Sequence, residues 1–463
     1  MAPWMRRGPV VIVGAAALLV FGLYGRSERS GPAPWTSRTM ETVHGEVEVQ
    51  RAAAPLAPNV VVIIGCTVRK DQLGLYGGLR GTTPYLDEVS GRAVVFDDVV
   101  TAAPWTKPAS VALLTGRHAL SVGMIEPGRR RNAKSLPSNI PTLATRFARG
   151  GWTTLGATAN PNLHSTFGFD QGFETYLQPA TLWRDGGAKL PGRTAAGELL
   201  LAAAQRPQGK PLYLQALFVD AHGPYSAGRK ERQLDSVSAY RAALGRFDSA
   251  VKQLVVGLAD LGIDETNTLF VVVNDHGEGL GMPAHHGKSH GRFLAPSVVG
   301  GVWMTWGHGA SGPRRVGGMA SQVDLTPTLL ELSGLGLARF DGAGLSHADA
   351  VRGIRPKTGR ERAYSDTWFT DTNRAAVYTE DLACQHDFSG GDAGRFESGC
   401  FDRHRDPEHA DVLANPGGME GLLAWRAEHS PVLEGGSDEA PDASVSEEVS
   451  RQLEALGYVD EAP

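Results

Sequence analysis

The run Thr268-Leu269-Phe270-Val271-Val272-Val273 stops at Asn274-Asp275-His276-Gly277-Glu278. Six apolar or β-branched residues without polar alternation read as a strand buried on both faces. An acid and an imidazole placed where it stops lie at the carboxyl end of that strand, the edge at which open α/β sheets bind their ligands. A carboxylate beside a histidine is also what a satisfied hydrogen bond at a strand end looks like. The rest of the chain has to decide between the two.

Similar runs recur at Val60 to Ile64, Thr153 to Ala157, Leu212 to Val219 and Ser297 to Met304. Between them, Leu244, Phe247, Val251, Leu254, Leu258 and Leu261 form one apolar stripe of a long amphipathic helix. Pro141 to Arg149 and Asp324 to Leu332 read as shorter helices, each with a proline near its first turn. Strands alternating with helices predict an α/β fold, a doubly wound, mostly parallel sheet with helices on both faces. After residue 355 the pattern changes. Tyr364 to Cys400 alternates strand-like pieces with Gly and Asp, and Val445 to Tyr458 reads as one helix. Residues 356–463 are therefore expected to form a small C-terminal α+β subdomain.

Arg6 and Arg7 precede an uncharged apolar run from Pro9 to Tyr24, the charge-then-apolar order of an export signal. At about 16 residues it is short for a span and long for a signal core, so a removed signal peptide and a retained membrane anchor over residues 1–28 both fit. Residues 29–57, rich in Pro, Gly, Ser, Ala and charge, read as a linker. Either way the body faces outward, in a periplasm or at a cell surface, and a retained anchor would tie it to the membrane through the N-terminus. In an oxidising compartment Cys384 and Cys400 are a plausible pair, closing a loop worth about 3 kcal/mol. Cys66 is left over and needs burial or metal ligation to explain it. A net charge of −5 gives no footprint for nucleic acid.

Beyond residue 57 a series of motifs follows in order. Pro58 to Ile64 leads into Gly65-Cys66-Thr67 and then Leu73-Gly74-Leu75-Tyr76-Gly77. Thr82-Thr83-Pro84-Tyr85-Leu86-Asp87 precedes Ala103-Pro104-Trp105-Thr106-Lys107-Pro108-Ala109-Ser110 and Leu114-Thr115-Gly116-Arg117. Gly168-Phe169-Asp170, Asp220-Ala221-His222-Gly223-Pro224-Tyr225, Asp275-His276-Gly277-Glu278 and Asp324-Leu325-Thr326-Pro327-Thr328 complete it. In this order the motifs resemble the sulfatase family of the alkaline phosphatase superfamily, over nearly everything from residue 58 onward.

The resemblance implies a catalytic domain over 58–355 and a metal-dependent hydrolase of sulfate or phosphate esters. One divalent cation binds nucleophile and substrate together and offsets the charge of the ester. Thr106 falls at the family's nucleophile, at the start of a helix where it would otherwise read as an N-cap. Threonine cannot give the formylglycine aldehyde, so the likeness is to the branch that uses a threonine hydroxyl directly, as envelope phospho-group transferases do. Asp275 and His276 match metal ligands. His222 matches a histidine that contacts the anion or protonates the leaving group. His285, His286 and Lys288 follow in a glycine-flanked loop where the family carries a basic residue on the transferred group, His286 aligning best. Asn160 matches a polar position. The implied substrate is a small anionic ester or an envelope glycan or lipid.

Three departures bear on this reading. Cys66 stands where the family has an aspartate ligand. A thiolate favours zinc or manganese, with Cys66, Asp275, His276 and Thr106 as ligands, over the calcium or magnesium usual in the family. Ala109 and Ser110 stand where Ser and a cation are usual, with Lys107 the nearest replacement charge. Hydrolase, transferase and a catalytically degenerate binding protein are thus the three readings that the residues leave open.

Overall fold

A computed structural model describes residues 37–42, 45–50, 57–124, 134–178, 190–225, 233–283, 288–369, 372–389, 398–413, 418–429 and 440–456. The export segment, His285, His286 and Tyr458 lie outside the described residues. Among those described, no helix is long and apolar enough to cross a membrane.

In chain order the strands are β1 (Ser37–Thr42), β2 (Gly45–Gln50), β3 (Asn59–Gly65), β4 (Val94–Val100), β5 (Thr153–Thr158), β6 (Thr175–Leu177), β7 (Leu212–Phe218) and β8 (Thr268–Asn274). They continue with β9 (Gly300–Gly301), β10 (Trp303–Gly307), β11 (Arg314–Ser321), β12 (Ala363–Phe369), β13 (Thr372–Tyr378), β14 (Leu382–Asp387) and β15 (Gly399–Asp402). β1 and β2 pair with each other. Nine strands form the main sheet in the order β11-β4-β10-β8-β3-β7-β5-β6, with β9 on β4. From β8 to β6 every pairing is parallel, and β10 alone runs against both its neighbours. The expected mostly parallel α/β sheet is what the chain forms.

β3, β7 and β8 are buried at every position, which explains why their sequences show no polar alternation. The helix Ser236–Asp260 covers them with the stripe read from the sequence; Leu244, Phe247, Val251, Leu254 and Leu258 are all buried. Asp235 caps it, its Oδ1 accepting from the amides of Val237 and Ser238 at 3.0 Å. Phe247 meets Phe218 of β7 edge-on at 6.4 Å. Truncating a buried ring of this kind costs about 3–5 kcal/mol.

One expected strand is broken. Ser297 to Met304 divides into a short helix, Pro296–Val299, then β9, then β10. Pro296 opens the helix, and Gly300-Gly301 give the chain freedom to turn. The break is pinned by Asn274, whose Oδ1 accepts from Val302 N at 2.7 Å while its Nδ2 donates to Gly300 O at 3.0 Å.

β12 to β15 form a separate antiparallel sheet in sequence order. Cys384 and Cys400 face each other across β14 and β15 and are disulfide-bonded, as expected. The helix Met419–Glu428 closes this unit with Leu422 and Trp425. The last described helix, Glu447–Ala455, returns to the main body, where Val449 and Leu453 join the large core.

Candidate active site

β3 and β8 are parallel neighbours with Gly65 opposite Asn274, so the next residues, Cys66 and Asp275, sit side by side at the carboxyl edge. Cys66 Sγ, an Asp275 carboxylate oxygen and a His276 ring nitrogen all lie within 4.8 Å of one another, in three buried residues. Asp275 is held by one oxygen only. Its Oδ1 accepts from the amides of Thr67 at 2.9 Å and His276 at 2.7 Å, whereas buried Oδ2 has no hydrogen-bond partner. Thr67 adopts a left-handed backbone, φ +58°, which a threonine takes up only under local constraint.

The His276 ring is fixed from behind. Its Nδ1–H donates to Gly277 O at 2.8 Å, which leaves the Nε2 lone pair turned to the cluster, 3.6 Å from Asp275 Oδ2. Burial lowers the His276 pKa, with Asp275 opposing, so the ring is a neutral donor at physiological pH. Gly277 is required here, because a Cβ would meet Ser297 O at 2.1 Å. Burial first, and the Asp275 charge second, push the Cys66 thiol well above its usual value. That thiol ionises only when a cation compensates it.

Thr106 is the first residue of the helix Thr106–Thr115, but it does not cap it. The N-cap is Trp105, which makes no side-chain capping bond. The Thr106 hydroxyl instead points into the cluster, 3.5 Å from Cys66 Sγ, 3.4 Å from His276 Nε2 and 3.3 Å from Asn160 Nδ2. Asn160 follows β5, and its Oδ1 accepts from Asn162 N at 2.9 Å, so its amino group donates to both Thr106 and Cys66. Lys107 does not reach solvent: it is 1% exposed, with Nζ 3.4 Å from the centroid of the Phe167 ring. Ser110 is fully buried and its Oγ has no partner.

A second group of residues faces the first. His222 follows β7, with its Nδ1 bonded to Gly223 O at 2.8 Å. Its ring lies 5.1 Å from that of His290, and His290 lies 4.6 Å from His276. His290 Nδ1 is 3.2 Å from Glu278 Oε2, and the two side chains are 9% and 3% exposed. Burial alone would lower the His290 pKa, but the charge and hydrogen bond of Glu278 outweigh it and raise it. The same pairing holds Glu278 below the usual carboxylate range despite burial. The resemblance to the sulfatase family implies a basic residue of this segment on the substrate, among His285, His286 and Lys288. The structure brings His290 into the cluster, while Lys288 is exposed at the surface. The only sequence signal for His290 was a further basic residue in the same glycine-flanked stretch. A cavity of about 630 Å³ opens elsewhere, between Lys70, Asp98, Tyr378 and Arg403, and no residue of the cluster lines it.

Thiol, carboxylate and imidazole converge with one carboxylate oxygen orphaned, a donor set that suits a zinc-like cation. A mostly parallel sheet with helices and a separate small antiparallel sheet is the α/β fold of the sulfatases, within the alkaline phosphatase superfamily. Residues 58–335 match the family model described as Sulfatase, and the chain belongs to the sulfatase family. Human arylsulfatase A is 27% identical over 453 residues, covering 81% of this chain and 85% of the relative. Among solved structures, the phosphonate monoester hydrolase of Agrobacterium radiobacter superposes with a TM-score of 0.62 at 18% identity, over 84% of this chain and 100% of the other. A protein solved in complex with its substrate D-glucosamine-2-N,6-O-disulfate superposes with a TM-score of 0.64 at 16% identity, over 83% and 99%.

Proposed function

We propose that the chain is an ester hydrolase of sulfate or phosphate monoesters or diesters in which Thr106 is the nucleophile. The observation that carries this is the Thr106 hydroxyl lying at 3.3–3.5 Å from Asn160, His276 and Cys66 rather than capping its helix. Cys66 Sγ, Asp275 Oδ2, His276 Nε2 and Thr106 Oγ1 are the atoms that would hold one divalent cation. When bound, such a cation supplies Lewis acidity, lowering the hydroxyl pKa and offsetting the charge of the ester.

Thr106 Oγ1, its proton released to water, attacks the sulfur or phosphorus as the bond to the leaving oxygen breaks. His222 gives that oxygen a proton. His290, whose cationic form is favoured by Glu278, offers positive charge to the oxygens of the group in transfer. Water, giving a proton back to His222, then attacks the Thr106 ester; the bond to Oγ1 breaks and the acid leaves. A threonine ester has no second hydroxyl through which to expel the anion, which favours phosphoryl over sulfuryl turnover. If an alcohol replaces that water, the same intermediate makes a phospho-group transferase, the second reading that Thr106 supports.

Several features support an extracytoplasmic setting and an anionic glycan or lipid ester as substrate. Cys384 and Cys400 are joined as in an oxidising compartment, and Arg6, Arg7 and the run after them have the form of an export signal or anchor. The glucosamine disulfate bound by a structural neighbour fits the same class. The test is metal analysis together with turnover. Purified protein is expected to carry about one equivalent of zinc and to cleave nitrophenyl phosphate faster than nitrophenyl sulfate, with a phosphorylated Thr106 peptide trapped by acid quench. A Thr106→Ala protein that retains turnover overturns the assignment.

A further inference from the structure

His290 sits in a stretch without regular structure: residues 288–295 are bends and coil. A coil that carries a buried imidazole has to be fixed by something outside itself. Three of its carbonyls are taken by the C-terminal sheet. Thr367 Oγ1 donates to Gly291 O at 2.6 Å, Arg374 Nη1 to Arg292 O at 2.6 Å, and the Tyr378 hydroxyl to Leu294 O at 2.7 Å. Thr367 is fully buried. Phe369, two residues on and so on the same face of β12, lies against Gly291, where a Cβ would meet the ring at 3.0 Å.

The same strand reaches the segment that leads into Thr106. Asp366 N donates to Ala102 O at 3.0 Å, and Trp105 meets Phe369 edge-on at 5.4 Å. The two segments are also joined directly, Gly291 N donating to Pro104 O at 2.9 Å. Residues 366, 367 and 369 thus touch both the stretch before the nucleophile and the stretch after His290.

We infer that β12 is a brace that sets the spacing between His290 and Thr106, with Thr367 a positioning residue that acts through the Gly291 carbonyl. Its catalytic consequence rests on the reading of Thr106 as nucleophile, but the placement of His290 does not. Thr367→Val keeps the shape and removes the donor; Thr367→Ser keeps the donor. With nitrophenyl phosphate, Thr367→Val is expected to lower kcat about tenfold or more with KM within about twofold, and Thr367→Ser to stay within about threefold of the parent in kcat. Independently of turnover, carbethoxylation of His290 by diethyl pyrocarbonate, mapped by mass spectrometry, is expected to speed up in Thr367→Val and not in Thr367→Ser, with buried His118 unchanged in both.

Unchanged His290 labelling in Thr367→Val overturns the brace, as does labelling of His118 that rises in step, because general loosening would then explain both. A serine variant that behaves like the valine one also overturns it. Absence of turnover in the parent protein sinks the assigned reaction alone, and the labelling still decides the brace.

Discussion

Two aspartates at the carboxyl edge of the main sheet are fully buried, and they are satisfied in opposite ways. Asp324 has both oxygens occupied: Arg360 and His347 bond to it, and the amides of Ser321 and Leu345 donate at 2.9 and 2.7 Å. Asp275 has two amides on one oxygen and nothing on the other. A buried carboxylate saturated by cations and amides belongs to the architecture, whereas one left half open is waiting for a positive partner. The difference separates what holds this molecule together from what it does.

The largest expected effect breaks that comparison directly. Asp275→Ala should cost about 1,000-fold or more in kcat/KM, about 4 kcal/mol of barrier, together with the bound cation. Its stability to urea, measured with chelator present, should fall by only about 1 kcal/mol, because the amides of Thr67 and His276 lose their acceptor while an uncompensated buried charge is removed. Asp324→Ala should do the reverse. It leaves Arg360 and His347 facing each other without their anion, a loss of about 3–5 kcal/mol in unfolding free energy. Equal loss of stability in the two variants would remove the distinction between them.

Acid sharpens the same contrast. Arg360 and His347 hold Asp324 down to about 2 against burial, while an aspartate in the unfolded chain titrates near 3.9. A carboxylate with a depressed folded value stabilises above the unfolded value and loses that contribution as pH falls through the folded one. About 2.5 kcal/mol should therefore be present above pH 4 and gone by about pH 2. Urea midpoints from pH 5 to pH 2 should show this limb in the parent chain and lack it in Asp324→Asn.

The sequence carried much of this, and for physical reasons. β3, β7 and β8 are buried on both faces, so each appears as an unbroken apolar run whose end names the residue at the sheet edge: Cys66, Asp220 with His222, and Asp275. β4 was not foreseen because Asp97 and Asp98 interrupt it, and these acids are paired with distant partners, Arg315 and Arg403. β11 contains Gly317 and Gly318 and has no pattern to read. His290 was passed over for a different reason. Five basic residues lie between positions 285 and 292 of the sequence, and only packing against the distant β12 selects His290. Lys107 reads as a replacement charge beside Thr106, and a sequence does not show that Phe167 is there to receive its ammonium.

The smallest effect tests whether Cys66 completes the half-open aspartate or merely fills space beside it. Its thiol is pushed up by burial and by Asp275, so it is a ligand only in the presence of a cation soft enough to repay ionisation, and zinc is such a cation. Cys66→Asp replaces sulfur with the hard oxygen that calcium and magnesium prefer. Affinity for magnesium or calcium, read by isothermal titration of the metal-stripped protein, should rise about tenfold, near 1.4 kcal/mol, while preference for zinc falls. If the exchange moves neither preference, Cys66 is a small buried apolar residue, and the orphaned oxygen of Asp275 must find its cation with Thr106 and His276 alone.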